Sequence, residues 1–209
     1  IADEVAVGFG RTGRMFACEH EGVSPDLLCL SKGITGGYMP LAATLTTKEI
    51  FAAFLGTPAQ KRTFYHGHSY TANQLGCAAG VASLKIFETD HVLEKMTEKI
   101  ATAARKLAAI GKLSHVGDTR QCGLIAGIEL AEDKSAKRPY AWELGMGAEV
   151  CMKAREHGLF IRPVGDVIIF MPPLCSTVEQ IEVMLDILQQ SIAEVTEDGQ
   201  RSGNDGGLF

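Results

Sequence analysis

Apolar residues in this chain fall into two patterns, short strand-length runs and longer stripes at helical spacing, and their alternation predicts an α/β fold. Ile1 to Val5 reads as a short strand carrying two acids among apolar residues. A second apolar run, Leu27 to Leu30, ends just before Lys32 and a glycine-rich turn, and Tyr38 to Thr46 reads as a third strand. Thr47 to Ile50 opens a short amphipathic helix that ends near Gly56, and Pro58 to Thr63 is a polar loop. Ala72 to Phe87, rich in Ala and Gly, predicts a helix closely packed on several sides. Asp90 then stands where an N-cap belongs, ahead of a stripe of Leu93, Met96, Ile100, Ala104 and Leu107.

Gly111 to Ser114 is the predicted boundary between two domains. Beyond it Gly123 to Leu130 reads as a strand, Asp133 to Arg138 as a charged loop, and Trp142 to Glu156 as a helix stopped by Gly158 at its C′ position. Leu159 to Ile161 predicts a strand delivering Arg162 and Pro163, and Val167 to Phe170 another, stopped by Pro172 and Pro173. Ser176 to Glu179 fits a capping box for a last helix burying Ile181, Met184, Leu185, Leu188, Ile192 and Val195. The domains expected are therefore 1–112, 113–197, and a disordered polar tail, 198–209.

The chemistry concentrates at Lys32. A lysine at the end of an apolar strand, if desolvated, becomes a nucleophile or a carbonyl-capturing amine. Asp3 lies far enough upstream for a crossover to a neighbouring parallel strand, so acid and amine can meet at adjacent strand ends. That pair is what a pyridoxal phosphate site needs: an amine for the carbonyl carbon and an acid for the ring nitrogen. A surface lysine at a strand end is the plainer alternative. Gly8, Gly10 and Gly13 match G-x-G-x-x-G, but a dinucleotide site requires a helix to follow, and Gly22, Ser24 and Pro25 interrupt one; these glycines are expected to form a tight loop. His66 and His68 lack a third ligand nearby, so no metal is expected there, and the 64–71 stretch suits contact with an anion. Arg162, stiffened by Pro163, is either a fork for a carboxylate or a surface partner of Asp166.

Composition narrows the field only at its edges. A net charge of −5 argues against nucleic acid or an anionic membrane as partner, and no apolar run reaches the ~20 residues of a span. Six scattered cysteines without a C-x-x-C pair predict reduced core thiols and a cytoplasmic setting.

The runs IADEVAVGFGRTG and SPDLLCLSKGITGGYMPLAA resemble the pyridoxal-phosphate attachment signature of class III (omega-type) aminotransferases. FYHGHSYTANQLGCAA and GLFIRPVGDVIIFMPPL draw the resemblance, from residue 1 to about 197, toward the biotin-pathway members of that class. It implies a pyridoxal-phosphate-dependent transferase of fold type I, with a mostly parallel-sheet large domain, partial here, and a small C-terminal α/β domain. By the resemblance Lys32 holds pyridoxal 5'-phosphate covalently and is the catalytic base, and Asp3 binds the ring nitrogen. Gly67 faces substrate, Ser69 reaches the phosphate of a cofactor held mainly by a second subunit, and Arg162 grips a substrate carboxylate. Here His68 stands where the family more often has Pro and Ser69 where it has Thr; His68 is counted with the cofactor-binding residues. Val164 and Ile169 replace aromatic residues that some relatives carry, which leaves the amino donor open between S-adenosylmethionine and lysine. The implied acceptor is the keto acid 8-amino-7-oxononanoate, and the implied assembly is a homodimer with a shared site. The family's phosphate cup and ring-stacking aromatic have no counterpart before Asp3, so the chain is expected to correspond to the C-terminal half of such an enzyme. An omega-amino acid aminotransferase, a dinucleotide-binding oxidoreductase and a non-catalytic half are the alternatives.

Overall fold

The computed structural model describes residues 1–202, with side chains described through Thr196. Its contacts group into two compact units, Ile1–Lys95 and a second from Met96 onward.

The first unit is built on a small mixed sheet. Strand β1 (Ala2–Asp3) pairs in parallel with β2 (Leu27–Leu30), with Asp3 opposite Cys29, and β2 pairs antiparallel with β3 (Ala43–Thr46). The strand predicted from Tyr38 begins only at Ala43. Gly36 and Gly37 adopt positive φ (60° and 87°), and Pro40 has no N–H to give a ladder. Helix α1 (Lys48–Ala53) is capped by the Thr47 hydroxyl, which accepts the Ile50 N–H at 3.3 Å. Helix α2 (Gln74–Thr89) starts where Asn73 Oδ1 accepts the N–H groups of Leu75 and Gly76. Gly76 and Gly80 are the buried positions of α2 and face Pro40, Leu41 and Ile34; a Cβ on Gly80 would meet Leu41 Cδ2 at 3.2 Å. The small residues of this helix thus let it lie directly on the turn that follows Lys32. Asp90 is the C-cap residue of α2 rather than the N-cap of the next helix, because one residue, His91 with φ 50°, still intervenes before Val92.

Helix α3 (Val92–Ile110) spans the division between the units, and Met96, Ala103, Leu107 and Ile110 enter the core of the second. That unit is an antiparallel sheet in the order β4 (Val116–Cys122), β5 (Ile125–Leu130), β7 (Val167–Phe170), β6 (Arg162–Val164). Burial alternates along β5, which places Ala126, Ile128 and Leu130 on the face covered by helices. Strand β4 lies in a stretch the apolar pattern leaves unassigned, since only Val116 of its residues is buried. The helix predicted over 142–156 divides at Gly145 (φ 54°) into a 3-10 turn, Trp142–Leu144, and α4 (Met146–Glu156). Gly158 (φ 92°) closes α4 as expected, with its N–H on the Arg155 carbonyl and the Leu159 N–H on that of Ala154. This closure holds Leu159 in the cap, so the predicted strand 159–161 does not form and β6 begins at Arg162 itself.

Helix α5 (Val178–Ser202) opens one residue later than predicted. The Gln180 side chain accepts the Thr177 N–H (2.9 Å), and the Thr177 hydroxyl accepts the Gln180 N–H (3.2 Å). Ile181, Leu185, Leu188 and Ile192 are fully buried along it, and Arg105 and Lys106 of α3 pair with Glu182 and Asp186. The tail expected from 198 is helical through Ser202, since each residue added to an existing helix gains a hydrogen bond without a new nucleus; 203–209 lie outside the described residues. The expectation of core thiols holds only for Cys151: Cys77, Cys122 and Cys175 are exposed, and all six cysteines are free. No helix among the described residues is long and apolar enough to cross a membrane.

Candidate active site

The parallel register of β1 with β2 brings Asp3 and Lys32 to the same, C-terminal, edge of the first unit's sheet, the edge where parallel α/β sheets commonly bind ligands. Lys32 is not the last residue of the strand. It is the first of a 3-10 turn, Lys32–Thr35, two residues past Leu30, and it adopts a left-handed backbone (φ 44°). Such a conformation persists in a non-glycine residue only where its surroundings hold it. Here Ser31 Oγ donates to the Leu41 carbonyl (2.9 Å), the buried Thr35 hydroxyl donates to the Met39 carbonyl (2.6 Å), and Ser83 Oγ of α2 reaches the Gly33 carbonyl (3.4 Å). Gly33 packs on the Phe9 ring so closely that a Cβ would lie 2.9 Å from Phe9 Cβ.

Neither partner of the pair is buried. The described residues give Lys32 no apolar setting: its side chain is exposed, and among them it makes no hydrogen bond or ion pair. Asp3 is exposed as well, with Oδ1 accepting the Val5 N–H at 3.0 Å. The elements present here leave the edge beyond β1 and β2 open. Of the two acids in the first strand it is Glu4 that is buried, at 2% exposure. Alternation along the strand sends one of two successive side chains inward, a signal that the sequence carries without saying which.

The glycine-rich segment Gly8–Gly13 is a succession of turns. Only a five-residue 3-10 helix, Ala17–Glu21, follows it, so the helix a dinucleotide fingerprint requires is missing from this segment. Phe9 from this segment is buried, with φ 57°, against Phe16 (5.7 Å between ring centroids) and Phe87 (6.5 Å).

Gly67, His68 and Ser69 lie together in the exposed loop before α2. His68 Nδ1 accepts the Tyr70 N–H (3.1 Å) and the Thr71 hydroxyl accepts the His68 N–H (3.0 Å); Ser69 is exposed, and its hydroxyl has no partner among the described residues. No hydrogen bond joins this loop to Asp3 or Lys32 among the described residues. In the second unit Arg162 opens the edge strand β6, exposed, opposite Ile169. It does not pair with Asp166. The Asp166 carboxylate instead accepts the Gly147 N–H at the start of α4 (3.0 Å), where a Cβ on Gly147 would overlap the Gly165 carbonyl.

An exposed amine and an exposed carboxylate at one sheet edge form a donor set that fits a carbonyl carbon and a protonated ring nitrogen. The chain belongs to the class-III aminotransferase family, whose model matches residues 1–192. It is 55% identical over 196 residues to the adenosylmethionine-8-amino-7-oxononanoate aminotransferase of Geobacter sulfurreducens, a match covering 94% of this chain and 43% of that protein. The crystal structure of the enzyme of the same name from Methanocaldococcus jannaschii superposes with a TM-score of 0.88 at 48% identity, over 91% of this chain and 44% of that one. An aminotransferase from Vibrio fluvialis, solved in its PMP-bound form, superposes at 0.87 and 25% identity, over 94% of this chain and 44% of that one. The chain therefore spans less than half the length of the relatives it matches.

Proposed function

We propose that this chain supplies the lysine, the ring-nitrogen acid and the substrate arginine of a pyridoxal-phosphate-dependent aminotransferase that converts 8-amino-7-oxononanoate to 7,8-diaminononanoate in biotin biosynthesis. The observation that carries the reading is the Asp3–Cys29 register, which sets an exposed amine and an exposed carboxylate at one sheet edge. The names of the relatives from Geobacter sulfurreducens and Methanocaldococcus jannaschii supply the substrate. When bound, the cofactor supplies an electron sink for the substrate's amine-bearing carbon.

The residues divide the work. Lys32 Nζ would hold the cofactor at its carbonyl carbon, and as a free amine it would carry the proton moved at the substrate's amine-bearing carbon. The Asp3 carboxylate keeps the ring nitrogen protonated by pairing with its positive charge. Arg162 presents a planar fork to a substrate carboxylate, and Val164 (65% exposed) beside it gives that place an apolar wall in the position where some relatives have an aromatic ring. Gly67 leaves room for substrate. His68 shapes the loop from which the Ser69 hydroxyl donates to the phosphate of a cofactor held mainly by a second subunit, so the reading includes a homodimer with shared sites. Six free cysteines fit a reducing, cytoplasmic setting.

The test is a transamination assay of the purified protein with 8-amino-7-oxononanoate as acceptor and S-adenosylmethionine or lysine as donor. Diamine formation that requires added pyridoxal 5'-phosphate and vanishes in Lys32→Ala supports the reading. Turnover of an omega-amino acid with no diamine formed moves the chain to another branch of the family.

A further inference from the structure

We propose that Glu4 is a positioning residue for Lys32, acting through the 8–18 loop and the ring of Phe9. Glu4 is the one buried charged side chain among the described residues, and it links three segments. Its backbone N–H donates to the Cys29 carbonyl (2.9 Å), extending the β1–β2 pairing toward the Lys32 turn. Its own carbonyl accepts the Gly8 N–H (2.9 Å), which starts the glycine-rich segment; a Cβ on Gly8 would lie 2.9 Å from that oxygen. Its two carboxylate oxygens each take one backbone donor from the far end of the loop, the N–H groups of Ala17 (2.9 Å) and Cys18 (2.7 Å). The loop is thus pinned at both ends by one residue.

What the loop delivers is Phe9. Its N–H donates to the Met15 carbonyl (2.7 Å), its ring meets Phe16 edge-on, and Phe16 directly precedes the Ala17 N–H that Glu4 holds. The other side of Phe9 lies against Gly33, in contact closer than any residue with a Cβ tolerates. Lys32 therefore keeps its left-handed backbone against a ring whose place depends on a carboxylate it does not touch. A buried carboxylate is costly unless its hydrogen bonds are met, and short charge-assisted bonds to backbone N–H groups are strong enough to fix a loop. Burial, then the adjacent Glu4 carboxylate, push the Cys18 thiol up from its ordinary pKa.

The inference rests on the reading of Lys32 given above, and its test separates the two. Lys32 acylation by a small amine reagent is measured against Lys48 in the same sample, without cofactor. Glu4→Gln keeps the size but puts an NH2 group against one of the two N–H donors. It is expected to change the Lys32-to-Lys48 ratio by at least about twofold, the smallest coupling ordinarily shown by residues linked through a shared backbone shift. Hydrogen exchange at Ala17 and Cys18 is expected to quicken. Phe9→Leu, which leaves the Glu4 bonds in place, is expected to shift the ratio the same way, and the two changes together by less than their product. An unchanged ratio with quickened exchange overturns the proposal and leaves Glu4 a purely structural anchor, as does an unchanged ratio in Phe9→Leu. Parent protein that captures no pyridoxal phosphate on Lys32, yet shows the ratio change in both variants, overturns the cofactor reading and sustains the positioning role.

Discussion

The two units of this chain are built to opposite plans. From Met96 onward, three helices and a four-stranded sheet share one continuous core in which Ile128, Ile168, Ile181, Leu185, Leu188 and Ile192 are fully shielded. The unit before it, with Asp3, Lys32 and the 67–69 loop, has Phe9 and Leu30 as its buried large apolar side chains, while Tyr38, Tyr65 and Tyr70 are 87%, 94% and 76% exposed. Core-forming and chemistry-bearing residues are thus largely separated. The first unit keeps its geometry through local turns, caps and side-chain-to-backbone hydrogen bonds, while in the second the candidate residue Arg162 opens an edge strand. Local devices of this kind fix a few residues well while giving little global stability.

The sharpest way to break the comparison is a matched pair of truncations. Leu185→Ala, at full burial on α5, is expected to cost about 2–5 kcal/mol in denaturant unfolding of the second unit. Tyr65→Ala, at an exposed loop of the first, should stay within about 0.5 kcal/mol. Equal costs would show that the first unit has a core of its own.

Next in size is Gly33→Ala. The added methyl collides with Phe9, so about 1–3 kcal/mol is expected, confined to the first unit, together with altered reactivity at Lys32. A smaller effect is expected from Gly158→Ala, which forces a side chain into φ 92° at the end of α4 and should cost about 1–2 kcal/mol in the second unit's transition. A cost near zero would mean that the cap between α4 and Leu159 adds nothing.

The pH response sharpens the contrast most gently. Burial pushes the Cys151 thiol from its ordinary 9.0 up to about 11; burial, then the nearby Glu132 and Asp166 carboxylates, push the Tyr140 hydroxyl from 10.0 to about 12. Both groups are held in the protonated form by folding. Their contribution is fully present below about pH 9 and is lost as pH rises toward 11 and 12. The second unit should therefore lose stability progressively above pH 9, and Cys151→Ala should flatten the first part of that decline; an unchanged slope would remove the thiol from the account.

Sequence patterning read the second unit more accurately than the first. Strand β7 and the buried face of α5 follow directly from apolar spacing, and Gly158 from its place after a helix. Strand β4 escaped because its exposed residues carry no alternation, and the 159–161 strand failed because a helix cap claimed Leu159. In the first unit the placement of Asp3 and Lys32 at one edge of two neighbouring parallel strands was legible from their spacing. Their exposure was not, because burial depends on which elements cover a strand edge. The choice between Asp3 and Glu4 as the inward acid turned on a single residue of strand phase, which no pattern in so short a strand can fix.

The central claim is that the amine at the open edge beyond β2 is the one that captures the cofactor. Incubation with pyridoxal 5'-phosphate, borohydride reduction and peptide mapping test it directly. A stable label is expected on Lys32, strongly favoured over Lys48 and Lys61, which are exposed as well. A label spread evenly over those lysines, or concentrated on Lys48 or Lys61, would contradict it.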